Sequence, residues 1–229
     1  MIQHLACQMD GNRRWAQQRG LATFMGHSKG AETVKLIAQF CIQHTIPFLS
    51  LYAFSIENFN RSDIEKTFIF DLIADELEKN LPQFMQDGMR VRFIGDRSLF
   101  PSHLVPIIEE VESKTALCTK LSLNFLFCYG GRQEIAQATR SLARQVQAGI
   151  ITPDEITPAL FAQHAWTQDV PDPEIVIRPG AQTRLSNFLL FQSAYSELFF
   201  LDTLWPDITT KILEDVLQQF KQRRRNFGK

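Results

Sequence analysis

Asp10, Gly11, Asn12, Arg13 and Arg14 follow an apolar run that begins at Leu5, and Arg19, His27 and Lys29 come soon after. Those residue types suit an anion. A glycine lets backbone N–H groups approach a phosphate, arginine forks bind it bidentately, and a carboxylate such as Asp10 can carry Mg²⁺ against it. A tight turn followed by a solvated basic helix fits the same residues. Two further clusters favour the anion. Ser55, Ile56, Glu57, Asn58, Phe59 and Arg61 follow a second apolar strand, and Arg178 and Arg184 flank Gly180 on the way to Leu185 and Ser186. Glu197 stands just before a last apolar strand, where a carboxylate needs an arginine or a metal ion as partner.

The elements that must position these residues alternate. Short, almost wholly apolar strands are expected at 4–9, 48–54, 89–94, 121–129, 174–177 and 198–201, a pattern for a sheet covered on both faces. The strand at 89–94 alternates enough to lie near an edge. Between them the apolar spacing predicts helices at 26–44, 62–87, 102–117 and 132–148, a small helical excursion within 154–165, a helix from Ser186 to 195 that Ser186 caps, and a tail helix at 207–225. The expected fold is α/β, a single domain over 1–229 with a mainly parallel sheet of about six strands between helices. In such sheets ligands gather outside the carboxyl ends of the strands, so Asp10 and Asn58 are expected to share a crevice.

Bulk properties narrow the function. The net charge of −1, from 24 basic and 25 acidic residues, gives no field that would draw the chain onto nucleic acid, so the anion site is local. Cys7, Cys41, Cys118 and Cys128 lie apart in apolar segments without metal-ligand spacing and read as buried, reduced thiols. No apolar run reaches the roughly 18 residues of a membrane span and no secretory leader is visible, so a cytoplasmic protein is expected. The 19 phenylalanines, against 3 tyrosines and 3 tryptophans, fit either core filling or a greasy channel.

Taken together, Met9-Asp10-Gly11-Asn12-Arg13-Arg14-Trp15-Ala16, Gly26-His27, Tyr52 to Arg61, Tyr129-Gly130-Gly131-Arg132, Ile177-Arg178, Arg184-Leu185-Ser186-Asn187-Phe188 and Leu204-Trp205-Pro206-Asp207 resemble the cis-prenyltransferases, in order and over nearly the whole chain. The resemblance implies condensation of isopentenyl diphosphate onto an allylic diphosphate such as farnesyl diphosphate, with Mg²⁺, in an apolar tunnel. By that analogy Asp10 holds Mg²⁺, with Glu197 as a second metal-side carboxylate. Gly11, Asn12, Arg13, Arg14, His27 and Arg61 bind the allylic diphosphate, while Arg178, Arg184 and Ser186, with Leu185 beside them, bind isopentenyl diphosphate. Asn58, near Ser55, takes the proton-transfer position, and Trp15, Ile56, Glu57 and Phe59 line the site. Many members carry arginine where Thr23 stands, a contact that Arg19 or Arg13 must replace. A homodimer with transient membrane contact for product release is also implied. A non-catalytic partner subunit, or a member making a shorter product, is the alternative. The absence of an Asp-Asp-x-x-Asp motif argues against the trans-prenyl synthases.

Overall fold

In the computed structural model, which describes residues 2–223, six strands form one parallel sheet. They are β1 (His4–Gln8), β2 (Phe48–Ser55), β3 (Met89–Ile94), β4 (Leu121–Tyr129), β5 (Ile175–Arg178) and β6 (Glu197–Phe200), in the spatial order β3-β4-β2-β1-β5-β6. The helices are α1 (Asn12–Gln18), α2 (Thr23–Gln43), α3 (Asp63–Gln86), α4 (Val105–Thr115), α5 (Gly131–Gln147), α6 (Pro158–Ala162) and α7 (Thr210–Gln222).

Alternation along the strands explains why they are apolar throughout. Leu5, Cys7, Ile175 and Ile177 enter a core shared with α2, α3, α4 and α7. Ala6, Leu126 and Val176 point the other way, into a cluster with Tyr129, Phe188 and Leu189. On that second face Glu134 of α5 is buried and accepts hydrogen bonds from Tyr129 Oη (2.5 Å), Gln192 Nε2 (2.9 Å) and the Thr167 hydroxyl (2.9 Å). A buried carboxylate is tolerable only with such a set of donors.

Several expectations are corrected. Residues 188–195 are turns and not a helix, and Ser186 caps nothing there, because Ser186 (φ 49°), Asn187 (φ 66°) and Leu189 (φ 44°) occupy the left-handed region that no right-handed helix contains. The excursion of 154–165 holds only a 3₁₀ turn and the five-residue α6. Cys7, Cys41 and Cys128 are buried but Cys118 is only half-buried. Burial pushes the Cys128 thiol up to about 12. The arginine partner expected for Glu197 is found in the tail, where Arg223, itself exposed, pairs with it (2.5 Å); residues 224 and 225 of the expected tail helix lie outside the described residues.

Candidate active site

The strand order reverses direction between β1 and β5: the chain leaves β1 toward β2 on one side and returns from β4 to β5 on the other. A crevice opens at such a switch point, outside the carboxyl ends of the strands. Asp10 lies two residues past β1, and Arg178 is the last residue of β5. Their side chains meet, Arg178 Nη2 donating to Asp10 Oδ2 at 3.0 Å. Arg178 Nη1 donates to Ser186 Oγ (2.7 Å) and to the Arg184 carbonyl, so β5 and the loop after it form one unit with Asp10. Arg14 adds a second link, donating through Nη2 to Asp10 Oδ1 (3.2 Å) and through Nη1 to the Gly180 carbonyl (2.7 Å).

The loop between β1 and α1 depends on glycine. Gly11 has φ 114°, and a Cβ there would lie 2.9 Å from Leu204 Cδ2. Gly26 packs its helix directly on α1, since a Cβ at Gly26 would stand 2.0 Å from the Asn12 carbonyl oxygen. This contact sets His27, on α2, beside the basic loop.

A second group of charges collects around Glu65, in the first turn of α3. Its carboxylate lies 3.2 Å from Arg61 Nη1, 3.8 Å from Arg13 Nη1 and 3.4 Å from His27 Nε2. Burial lowers the His27 pKa, the Arg61 guanidinium lowers it further, and Glu65 opposes both. Sequence reading missed Glu65: Arg61 lies before the Ser62 cap of α3 in extended backbone, so no helical spacing links the two, and only the fold brings Arg13 and His27 to the same carboxylate. Asn58 is held by the Ser55 N–H, which donates to its Oδ1 at 3.1 Å.

Below this polar mouth lies a cavity of about 520 Å³. Asp10, Gly11, Asn12, Arg13, Arg14, His27, Asn58 and Arg61 border it, and Val34, Ala38, Ile69, Leu72, Leu77, Phe84, Phe93 and Phe125 line its apolar part between α2, α3 and the sheet. From His27 to Gln39, both on the lining, α2 advances about 18 Å at 1.5 Å per residue. Core filling accounts for most of the phenylalanines described, and three of them also reach the cavity. Phe54, Phe70, Phe93, Phe100 and Phe127 pack ring on ring as core, with centroids 5.0 to 5.8 Å apart, while Phe84, Phe93 and Phe125 face the cavity.

Other expected site residues fall outside the cavity wall. Trp15 turns away, its Nε1 donating to Asp207 Oδ1 (2.7 Å). Arg19 stacks over that indole and pairs with Asp207, so of the two arginines considered for the place opposite Thr23 it is Arg13 that reaches the mouth. Thr23 opens α2 without bordering the cavity. Phe59 packs edge-on against Phe54, Leu185 joins the second-face cluster, Ile56 begins the short 3₁₀ turn that carries Asn58, and Arg184 reaches Gln182. Glu57 is tied to Asn187 (2.7 Å). Glu197 is not brought to Asp10: it pairs in register with Ile175 at the amino end of the sheet, whereas Arg178 pairs with Phe200 at the carboxyl end.

As a metal donor Asp10 fits Mg²⁺, which takes one or two carboxylates and completes its shell with phosphate oxygens and water; the Asp10 side chain keeps 32% exposure toward the crevice. Among the described residues no group of three His, Cys, Asp or Glu forms a metal cage by itself.

Arginines and one carboxylate thus stand at the switch point of a parallel sheet, beside a cavity with an apolar wall between α2, α3 and the sheet and with Lys35, Gln39, Glu76, Asn80, Gln83 and Asp87 also on its lining. The family model described as undecaprenyl diphosphate synthase matches residues 8–228. The chain belongs to this family. It is 42% identical over 225 residues to a ditrans,polycis-undecaprenyl-diphosphate synthase ((2E,6E)-farnesyl-diphosphate specific) of Xanthomonas campestris, covering 98% of this chain and 87% of that relative. It is 41% identical over 225 residues to an isoprenyl transferase of Heliobacterium mobile, covering 98% and 86%. Among solved structures of undecaprenyl diphosphate synthase-like fold, lavandulyl diphosphate synthase from Lavandula x intermedia, in complex with dimethylallyl diphosphate, superposes with a TM-score of 0.96 at 34% identity, over 100% of this chain and 98% of that one. A probable undecaprenyl diphosphate synthase from Campylobacter jejuni gives 0.83 at 34% identity, covering 100% and 99%.

Proposed function

We propose that this chain condenses isopentenyl diphosphate onto an allylic diphosphate, with farnesyl diphosphate as primer and undecaprenyl diphosphate as product, for use as a cell-wall lipid carrier. The observation that carries the reading is the Asp10–Arg178 contact: Asp10 borders a cavity with an apolar wall together with Arg13, His27 and Arg61, and Arg178 ties Asp10 to Ser186 and the Arg184 carbonyl on the loop after β5. One side suits the allylic diphosphate and the other isopentenyl diphosphate.

The leaving diphosphate carries several negative charges as the allylic C–O bond breaks. The Arg61 guanidinium, held by Glu65, and the amides around Gly11 stabilise that charge with little reorganisation, the more exposed Arg13 adds to them, and such preorganised electrostatics usually lower the barrier more than anything else in a site of this kind. Mg²⁺, held by Asp10, would add further neutralisation of diphosphate charge. A new C–C bond forms at the allylic carbon and the C2 proton leaves. Asn58 is a poor base, and its Oδ1 is already engaged by the Ser55 N–H, so its Nδ2 orients a water or the released diphosphate that accepts the proton. The apolar wall from Val34 to Phe125 receives the growing chain. Homodimer assembly, a cytoplasmic location and brief membrane contact for product release belong to the same proposal. Their support is the family resemblance and the oily product; among the described residues no helix is long and apolar enough to cross a membrane.

The test is incubation with farnesyl diphosphate, labelled isopentenyl diphosphate and Mg²⁺, followed by butanol extraction and chain-length analysis. Labelled Z-polyprenyl product is expected. No product where a control synthase works overturns the proposal, and stimulation of another synthase without turnover alone would favour a non-catalytic partner.

A further inference from the structure

Asn187 joins three loops of the site. Its backbone carbonyl accepts from the Gly131 N–H (2.8 Å), and its Oδ1 accepts from the Arg132 N–H (2.8 Å). Its Nδ2 donates to Glu57 Oε1 (2.7 Å) and Gln133 Oε1 (3.0 Å), so both amide protons are used. Glu57 adjoins Asn58 on the loop after β2. Gly131 to Gln133 open α5 at the end of β4, and Ser186, which receives Arg178, precedes Asn187 on the loop after β5.

The local conformation is built for this junction. Asn187 has φ 66°, a left-handed value that asparagine tolerates better than most residues. Gly130 leaves room for it, since a Cβ there would lie 2.6 Å from Asn187 Nδ2. Two consecutive left-handed residues, Ser186 and Asn187, persist only where surrounding contacts over-determine them, and these bonds do so.

We infer that Asn187 is a positioning residue that fixes the Arg178–Ser186 side of the site in register with the Asn58 side. It acts through the loops its side chain and carbonyl hold, and the inference rests on the proposed assignment of the two sides. Reaction between two bound substrates is sensitive to sub-ångström misplacement, so loosening this junction should damage the encounter more than the fold.

Asn187→Asp keeps the acceptor for Arg132 but sets a carboxylate against Glu57. Asn187→Gly keeps the backbone conformation and removes all side-chain bonds. Both are expected to melt within a few degrees of the parent and to bind farnesyl diphosphate as the parent does. Both should lose about tenfold or more in kcat/KM for isopentenyl diphosphate and bind that ligand more weakly in calorimetry. In a Glu57→Gln background, where an amide can donate to the new carboxylate, Asn187→Asp should cost less than in the parent. If Asn187→Asp does not fold, Asn187→Gly carries the same comparison. Unchanged kcat/KM and affinity per folded molecule, or an equal loss in both backgrounds, overturns the inference. Absence of turnover in the parent counts against the proposed function instead, and the calorimetric arm still decides the role of Asn187.

Discussion

Asp10 and Arg178 are 168 positions apart in sequence and 3.0 Å apart in the fold. The guanidinium is nearly buried, with 5% of the side chain exposed, while the carboxylate keeps an open face. Removing Asp10 therefore strips both a proposed metal donor and the partner of a buried cation. Asp10→Ala is expected to lower turnover by about a thousandfold or more and stability by about 1–3 kcal/mol. Steady-state kinetics beside denaturant unfolding measure both, and turnover near the parent value would remove Asp10 from the mechanism.

Glu65 holds Arg13, Arg61 and His27 in one cluster although it does not border the cavity. Glu65→Gln is expected to reduce kcat/KM for the allylic diphosphate about tenfold. Because Glu65 raises the His27 pKa against burial and Arg61, its neutralisation should move the imidazole titration further down, read by NMR of the ring proton. An upward shift would contradict this placement.

His4 is fully buried, donor and acceptor in bonds to the Pro171 carbonyl (2.6 Å) and Ser50 Oγ (2.8 Å), and burial lowers its pKa to about 4. Between that value and the unfolded value of about 6.5, the unfolded chain binds a proton that the folded chain refuses, so stability falls as pH falls. The contribution lost from pH 7 to below pH 4 is about 3 kcal/mol. Urea unfolding across that range should show a shallower pH dependence for His4→Gln than for the parent. Parallel curves would assign acid lability elsewhere.

Ala38 faces the cavity from α2. Ala38→Phe places a ring in the proposed path of the growing chain, at an overpacking cost of about 1–3 kcal/mol. Shorter products are expected, with the first condensation little changed. An unaltered chain-length distribution would mean that the chain grows elsewhere.

Periodicity and motif were enough for the six strands and for the crevice that Asp10 and Asn58 share, because continuous apolar strands and polar strand ends are local features. Two features have non-local causes. Phe188, Leu189 and Gln192 read as helix, but Asn187 bonds to Glu57, Gly131, Arg132 and Gln133 hold the segment in left-handed turns. Glu197 was expected to need an arginine or a metal ion, and which of the two it takes is decided by its place in the sheet. In a parallel sheet the residue that begins a strand lies at the amino end, away from the crevice, and there Arg223 satisfies it. Asn187 carried no catalytic signature; only its four bonds reveal it.

In the proposed mechanism two diphosphates lie side by side across the Asp10–Arg178 contact. Calorimetry with a non-cleavable farnesyl thiodiphosphate, then isopentenyl diphosphate, in the presence of Mg²⁺, tests this directly. Both ligands are expected to bind one chain at once, and Arg178→Met is expected to abolish only the second binding event. Displacement of the first ligand by the second, or full retention of both in Arg178→Met, would contradict it.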